Sequence, residues 1–197
     1  MKYLATSLVA LALLTTAGVA RAQVDVSLNP LGIIFGRPSL AAEFAITDEI
    51  GLEPTFNPVF SRLRLGGVRF KGTGLGVGVN GKYYFDPDDA IDGFYGLGYA
   101  RGTRVKREID DVEEGDDITV SEFTRTKVSA GVGAGYKLVG DNRFVFDVAL
   151  GMGYDVINRY SYDEDLYGED VDFVAAFGAL TRLDFFGRLS LGIRLLD

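Results

Sequence analysis

The chain has 197 residues, with 28 Asp and Glu against 20 Lys and Arg, a formal net charge of −8, and neither Cys nor His. That acidic balance argues against binding a nucleic-acid backbone, which calls for clustered Lys and Arg. The lack of His removes the commonest general base, metal ligand and pH switch together.

Residues 1–22 have the layout of a secretion signal: Lys2 at the start, a short apolar core from Leu8 to Leu14, and an A-x-A cleavage site at Ala20-Arg21-Ala22. The core falls short of the roughly 20 apolar residues a spanning helix needs. Cleavage leaves residues 23–197 as one domain of 175 residues, and losing Lys2 and Arg21 takes the net charge to −10. No Cys follows the site to carry a lipid.

The domain opens on an alternating run, Val24, Val26 and Leu28 against Asp25, Ser27 and Asn29, read as a first strand running on towards Phe35, in which Pro30 predicts a bulge or an early end. Gly36-Arg37-Pro38 reads as a turn. Leu40, Ala42, Phe44 and Ile46 then oppose Ala41, Glu43 and Ala45, and Thr47-Asp48-Glu49 is a tight connection. From Leu52 to Phe60, Glu53, Thr55 and Asn57 form a polar face, while Pro54 and Pro58 weaken the strand because proline donates no ladder bond. Ser61–Thr73 is basic and irregular, a loop or an extended hairpin. Leu75 to Phe85 alternates again, with Gly74, Gly76, Gly78, Asn80, Lys82 and Tyr84 on the small and polar side. After a break at Asp86-Pro87-Asp88-Asp89, Tyr95, Leu97 and Tyr99 form an apolar face predicted to point outward. Glu108–Asp117 reads as an acidic loop. Val128, Val132, Tyr136 and Leu138 alternate with small residues and Lys137, and Gly140-Asp141-Asn142 is a hairpin turn.

The clearest strand is Phe144–Val156. Phe144, Phe146, Val148, Leu150, Met152, Tyr154 and Val156 share one side, and Asp147, Ala149, Gly151, Gly153 and Asp155 the other. Asp163–Asp172 is a second acidic loop. Val171–Leu183 is readable as strand or short amphipathic helix. Leu189, Leu191, Ile193 and Leu195 against Arg188, Ser190, Gly192 and Arg194 make a clean last strand, whose parity puts Phe185 out and Asp184 in.

Eight strands with one greasy and one wet side, and no apolar run after the leader long enough for a helix, predict an all-β fold: an eight-stranded antiparallel up-and-down transmembrane β-barrel in the cell outer membrane. The predicted inner connections are short and three of the four outer ones long, an asymmetry such barrels share. Tyr83, Phe85, Tyr95, Tyr99, Tyr136, Phe144, Phe146 and Tyr154 are expected near strand ends as aromatic girdles.

Gly76-Val77-Gly78-Val79-Asn80-Gly81 matches G-x-G-x-x-G, but the dinucleotide turn needs a helix next, and Lys82-Tyr83-Tyr84-Phe85 reads as strand. The glycines are expected to leave room in a narrow lumen. Parity places Glu43, Glu53, Lys82, Lys137, Asp147 and Arg194 inside, near the periplasmic end: three acids and three bases suited to a structural salt-bridge plug. The acidic loops lack the spacing of a calcium loop and are expected to be solvated. No catalytic residue, cofactor site or metal site is expected.

The leader, the block Val24–Phe60, the Gly-x-Gly-Tyr runs ending at Tyr136 and Tyr154, and the closing Leu189–Leu196 resemble the small OmpA-like outer-membrane barrels of Gram-negative bacteria. The resemblance implies insertion by the outer-membrane assembly machinery, which reads the last strand; Asp197 stands where that signal usually has an aromatic residue. It implies a monomer whose partners are outer-membrane lipid and lipopolysaccharide, with no nucleic acid. A structural or surface-interaction role through the loops near 61–73, 103–119 and 159–182 is expected. The alternatives are a narrow, porin-like pore or small-ligand carrier, an enzyme on the same scaffold, for which the resembling families commonly use His, and a soluble periplasmic ligand-binding barrel, which would reverse the apolar and polar faces.

Overall fold

A computed structural model describes residues 23–34, 36–65, 68–88, 90–111, 118–162 and 182–196. Its elements are β1 (Val24–Asn29), α1 (Pro30–Ile34), β2 (Ser39–Ala45), β3 (Ile50–Leu65), β4 (Val68–Tyr84), β5 (Gly93–Asp111), β6 (Ile118–Val139), β7 (Phe144–Tyr162) and β8 (Leu183–Leu196). Each strand pairs antiparallel with the next, and β8 pairs with β1, so the sheet closes into a barrel with no open edge. Residues 1–22, expected to be a leader, the expected acidic loop Asp163–Asp172 and most of Val171–Leu183 lie outside the described residues. β1 ends at Asn29, where the Pro30–Ile34 helix replaces the strand expected to run on towards Phe35.

The period-2 pattern decides which side faces where. Leu150, Met152, Val132, Phe185 and Val77 are more than half exposed on the outer surface, while Asp147, Ala149 and Asp155 from the same strand as Leu150 are buried inside. The exterior is thus apolar and the interior polar, the reverse of a soluble barrel.

Both prolines of β3 are accommodated on one side of that strand. Phe60 donates to the Gly36 carbonyl at 2.7 Å, so the even-numbered residues of β3 turn their backbone groups toward β2. The missing N–H groups of Pro54 and Pro58 therefore fall on the β2 side. There the register lapses between Ala41↔Thr55 and Phe44↔Leu52, while the β3–β4 ladder runs unbroken from Ile50↔Tyr83 to Leu65↔Val68.

Strand lengths are unequal: 6 and 7 residues in β1 and β2, against 16 to 22 in β3–β7. A tilted strand crosses a bilayer in about 9–11 residues. The β3–β4 and β5–β6 hairpins therefore stand beyond the apolar belt. The segments 61–73 and 103–119, expected as loops, are largely these hairpin extensions, because ladder pairing continues to Leu65↔Val68 and Asp111↔Ile118. At the other end the connections are tight. The Thr47 hydroxyl accepts from the Glu49 and Ile50 amides at 3.2 and 3.0 Å, closing the β2–β3 turn.

One strand is inverted relative to the sequence reading. Tyr95, Leu97 and Tyr99 of β5 face inward and are buried, whereas Phe94 faces out and is half exposed. Tyr95 and Tyr99 therefore do not belong to the girdle, whereas Tyr83, Phe85, Phe94, Tyr136 and Phe144 are exposed aromatics near strand ends. The G-x-G-x-x-G run lies within β4, with strand continuing through Tyr84 in place of a helix.

Candidate functional site

The lumen is built in layers. At its base are four carboxylates and four cations. Lys82 Nζ lies 2.8 Å from Glu43, 2.8 Å from Glu53 and 3.0 Å from Asp147. Lys137 bonds Glu43 at 2.9 Å and also meets Asp25. Arg194 holds Asp25 at 2.9 Å. Arg188 reaches Asp147 at 2.8 Å and also pairs with Glu53. Neutral donors complete the layer: Tyr84 Oη gives its proton to Glu43 at 2.7 Å, Tyr95 Oη to Asp147 at 2.5 Å, and Asn80 Nδ2 to Glu53 at 2.6 Å.

Lys82 is 1% exposed, and the four carboxylates are equally dry, so ions here are taken from water only because each is paired. Oxygens of Glu43, Glu53 and Asp147 lie within 4.8 Å of one another, a spacing a metal ion could use. The Lys82 ammonium bonds to all three and supplies that cation from the chain itself.

Above the plug is an aromatic layer. Tyr99 and Phe186 meet edge to face with centroids 5.0 Å apart, over the Tyr84 and Tyr95 rings of the plug, which lie 5.1 Å apart. The luminal glycines of β6 and β7 face these rings: a methyl at Gly135 would run into Tyr95, at Gly131 into Tyr99, and at Gly151 into Phe186. The space those glycines leave is thus occupied by rings from β5 and β8.

The next layer up holds Asp155 and Asp184. Lys127 bridges them at 3.0 and 2.8 Å. Arg101 also pairs with Asp184 and lies over the rings of Tyr99 and Phe186, 5.0 and 5.2 Å from their centroids. Ser129 Oγ donates to Asp155 at 2.9 Å, and Tyr99 Oη to Asp184 at 2.9 Å. A register shift beside Ser129 admits one extra residue on β7, so that Asn158 and Tyr160 follow Asp155 toward Arg125.

The structure brings together all six of the residues singled out from parity: Glu43, Glu53, Lys82, Lys137, Asp147 and Arg194. Among the described residues Arg194 joins the others through Asp25, and Arg188 is a second cation on Glu53 and Asp147; neither Asp25 nor Arg188 was among the six. Both have the right parity. What parity lacked was height, because strand tilt and stagger decide which turns of different strands share a level. The upper layer went unread for the same reason.

Two solved structures align with this chain. CarO of Acinetobacter baumannii aligns with a TM-score of 0.52 at 10% identity, over 88% of this chain and 97% of that one. The Neisserial surface protein A, NspA, aligns at 16% identity and a TM-score of 0.36, over 89% of this chain and 96% of that one. No curated protein matches the sequence. At such identity the CarO likeness speaks to the fold. The closed ring of eight up-and-down strands with an apolar belt is the outer-membrane barrel architecture, and that membrane is the protein's location. Residues 6–173 match the family described as proteins of unknown function, DUF3575, and the chain belongs to that family.

Proposed function

We propose that this is a closed-bodied, non-catalytic outer-membrane barrel with a structural or surface-interaction role, presenting its extended hairpins on a rigid body. The observation that carries this reading is the plug: eight ionised side chains, four of each sign, packed across the lumen with Tyr84 and Tyr95 bonded into them. A water path here would have to break several paired charges at once. The resemblance to OmpA-like barrels points the same way.

The partners that suit the exterior are lipid and lipopolysaccharide. Arg62, Arg104 and Arg159 are exposed on strand segments beyond the apolar belt, where phosphate groups of a lipopolysaccharide leaflet would lie. The closed exterior needs no second copy, so the barrel acts as a monomer inserted by the outer-membrane assembly machinery.

Conductance in planar bilayers tests the reading. The purified barrel is expected to give no stable single-channel steps. Reproducible steps from the unmodified protein would replace this reading with a narrow pore or carrier.

A further inference from the structure

The two charged layers of the lumen differ in balance. The base pairs four acids with four cations. In the outer half, Arg101, Arg107, Arg125 and Lys127 enter from β5 and β6, and Arg37 comes from the connection between α1 and β2. Among the described residues, only Asp155 and Asp184 answer them. Among the described residues, the outer half therefore carries three more positive than negative side chains.

Those two aspartates are already committed. Asp184 serves Arg101 and Lys127, and Asp155 serves Lys127, with Arg125 at 3.8 Å. Asp155 Oδ2 is buried without a hydrogen bond, so Arg125 is held near it but not in contact. Arg125 lies over the Tyr160 ring at 5.3 Å and donates from Nε to Asn158 at 3.0 Å, which fixes the guanidinium in place. Arg107 is half-buried and Arg37 exposed, and neither has a carboxylate partner among the described residues. Arg107 and Arg125 are diagonal neighbours on the inner face of the β5–β6 pair, where Val105 lies opposite Arg125 and Phe123 opposite Arg107, and the positive charge of Arg37 also acts on Arg107.

Guanidinium groups from three separate segments thus face one another, and like charges brought close repel. Such a cluster is favourable when an anion joins it, and the guanidinium fork fits carboxylate and phosphate oxygens in pairs. The β4 wall adds no competing side chain, since its inward residues are Gly72, Gly74, Gly76 and Gly78. The plug closes the lumen below these side chains.

We propose that the outer half of the lumen is a binding site for a small multiply charged oxyanion, a phosphate or polycarboxylate, held by Arg37, Arg107 and Arg125. The site does not depend on whether the plug blocks conduction.

The test is calorimetric titration of the detergent-solubilised full barrel with inorganic pyrophosphate at low salt. Saturable one-to-one binding is expected. It should weaken at least tenfold in the double variant Arg37→Gln with Arg107→Gln and stay unchanged in Lys106→Gln, which removes an outward cation on the same strand. Heat-dependent gel migration of each variant establishes that it is folded. No saturable binding, or equal binding by the folded double variant, overturns the proposal. Repeating the titration with purified lipopolysaccharide present separates the sources: competition assigns the site to a lipid-borne phosphate, and its absence to a free anion.

Discussion

Lys82 shows how one side chain can organise a lumen. Its ammonium is the shared partner of Glu43, Glu53 and Asp147, and its removal leaves three dry carboxylates facing one another. Breaking one partner out of a buried ion pair costs about 3–5 kcal/mol. Lys106 offers the contrast, since it bonds Glu122 at 2.8 Å on an exposed stretch of β5. Exposed pairs contribute about 0–1 kcal/mol. Lys82→Ala is therefore expected to lower the melting temperature of the barrel clearly more than Lys106→Ala. Equal melting temperatures for the two variants would remove the stabilising role assigned to the plug.

The strand β7 carries the polarity of the wall most plainly. Val148, Leu150 and Met152 face out while Asp147, Ala149, Gly151 and Gly153 face in, and β6 and β8 pair with it on both sides. A charge at Val148 would sit against acyl chains rather than water. Val148→Arg is expected to destabilise the barrel by less than the ~2–4 kcal/mol of a midplane site, because Val148 lies opposite Tyr136 of the girdle; the loss is read as a shift of the urea midpoint of folding into lipid vesicles. No shift would mean that this face is wet. β3 makes a different point. Its prolines looked incompatible with a wall strand, and they are tolerated because both leave their gaps toward β2, where pairing is already short.

The closed ring is what gives the molecule its expected behaviour in detergent. A barrel with no free edge resists unfolding until heated, so the unboiled protein from the outer-membrane fraction should migrate differently on a denaturing gel from the boiled one. A soluble protein with no heat-dependent shift would overturn the lipid-facing assignment. Much of this was legible in the residues. Alternation along Phe144–Val156 and Leu189–Leu195 marked a wall with an apolar outside, Lys82 and Asp147 stood on the wet side, and unbroken runs after the leader were too short for helices. These features are local, because a strand's two faces are defined by its own period. The inversion of β5 was not local. Its two faces, Tyr95, Leu97 and Tyr99 against Gly96, Gly98 and Ala100, are both uncharged, and aromatics suit either a girdle or a lumen. Partners on other strands settled it: Asp147 and Asp184 take the tyrosine protons, and Gly135 and Gly131 leave space for the rings. The same holds for Asp25 and Arg188, whose parity was readable but whose height was not. The sequence by itself determined which residues share a face. Only the closed structure, through the tilt and stagger that its hydrogen-bond register imposes, decided which of those residues meet.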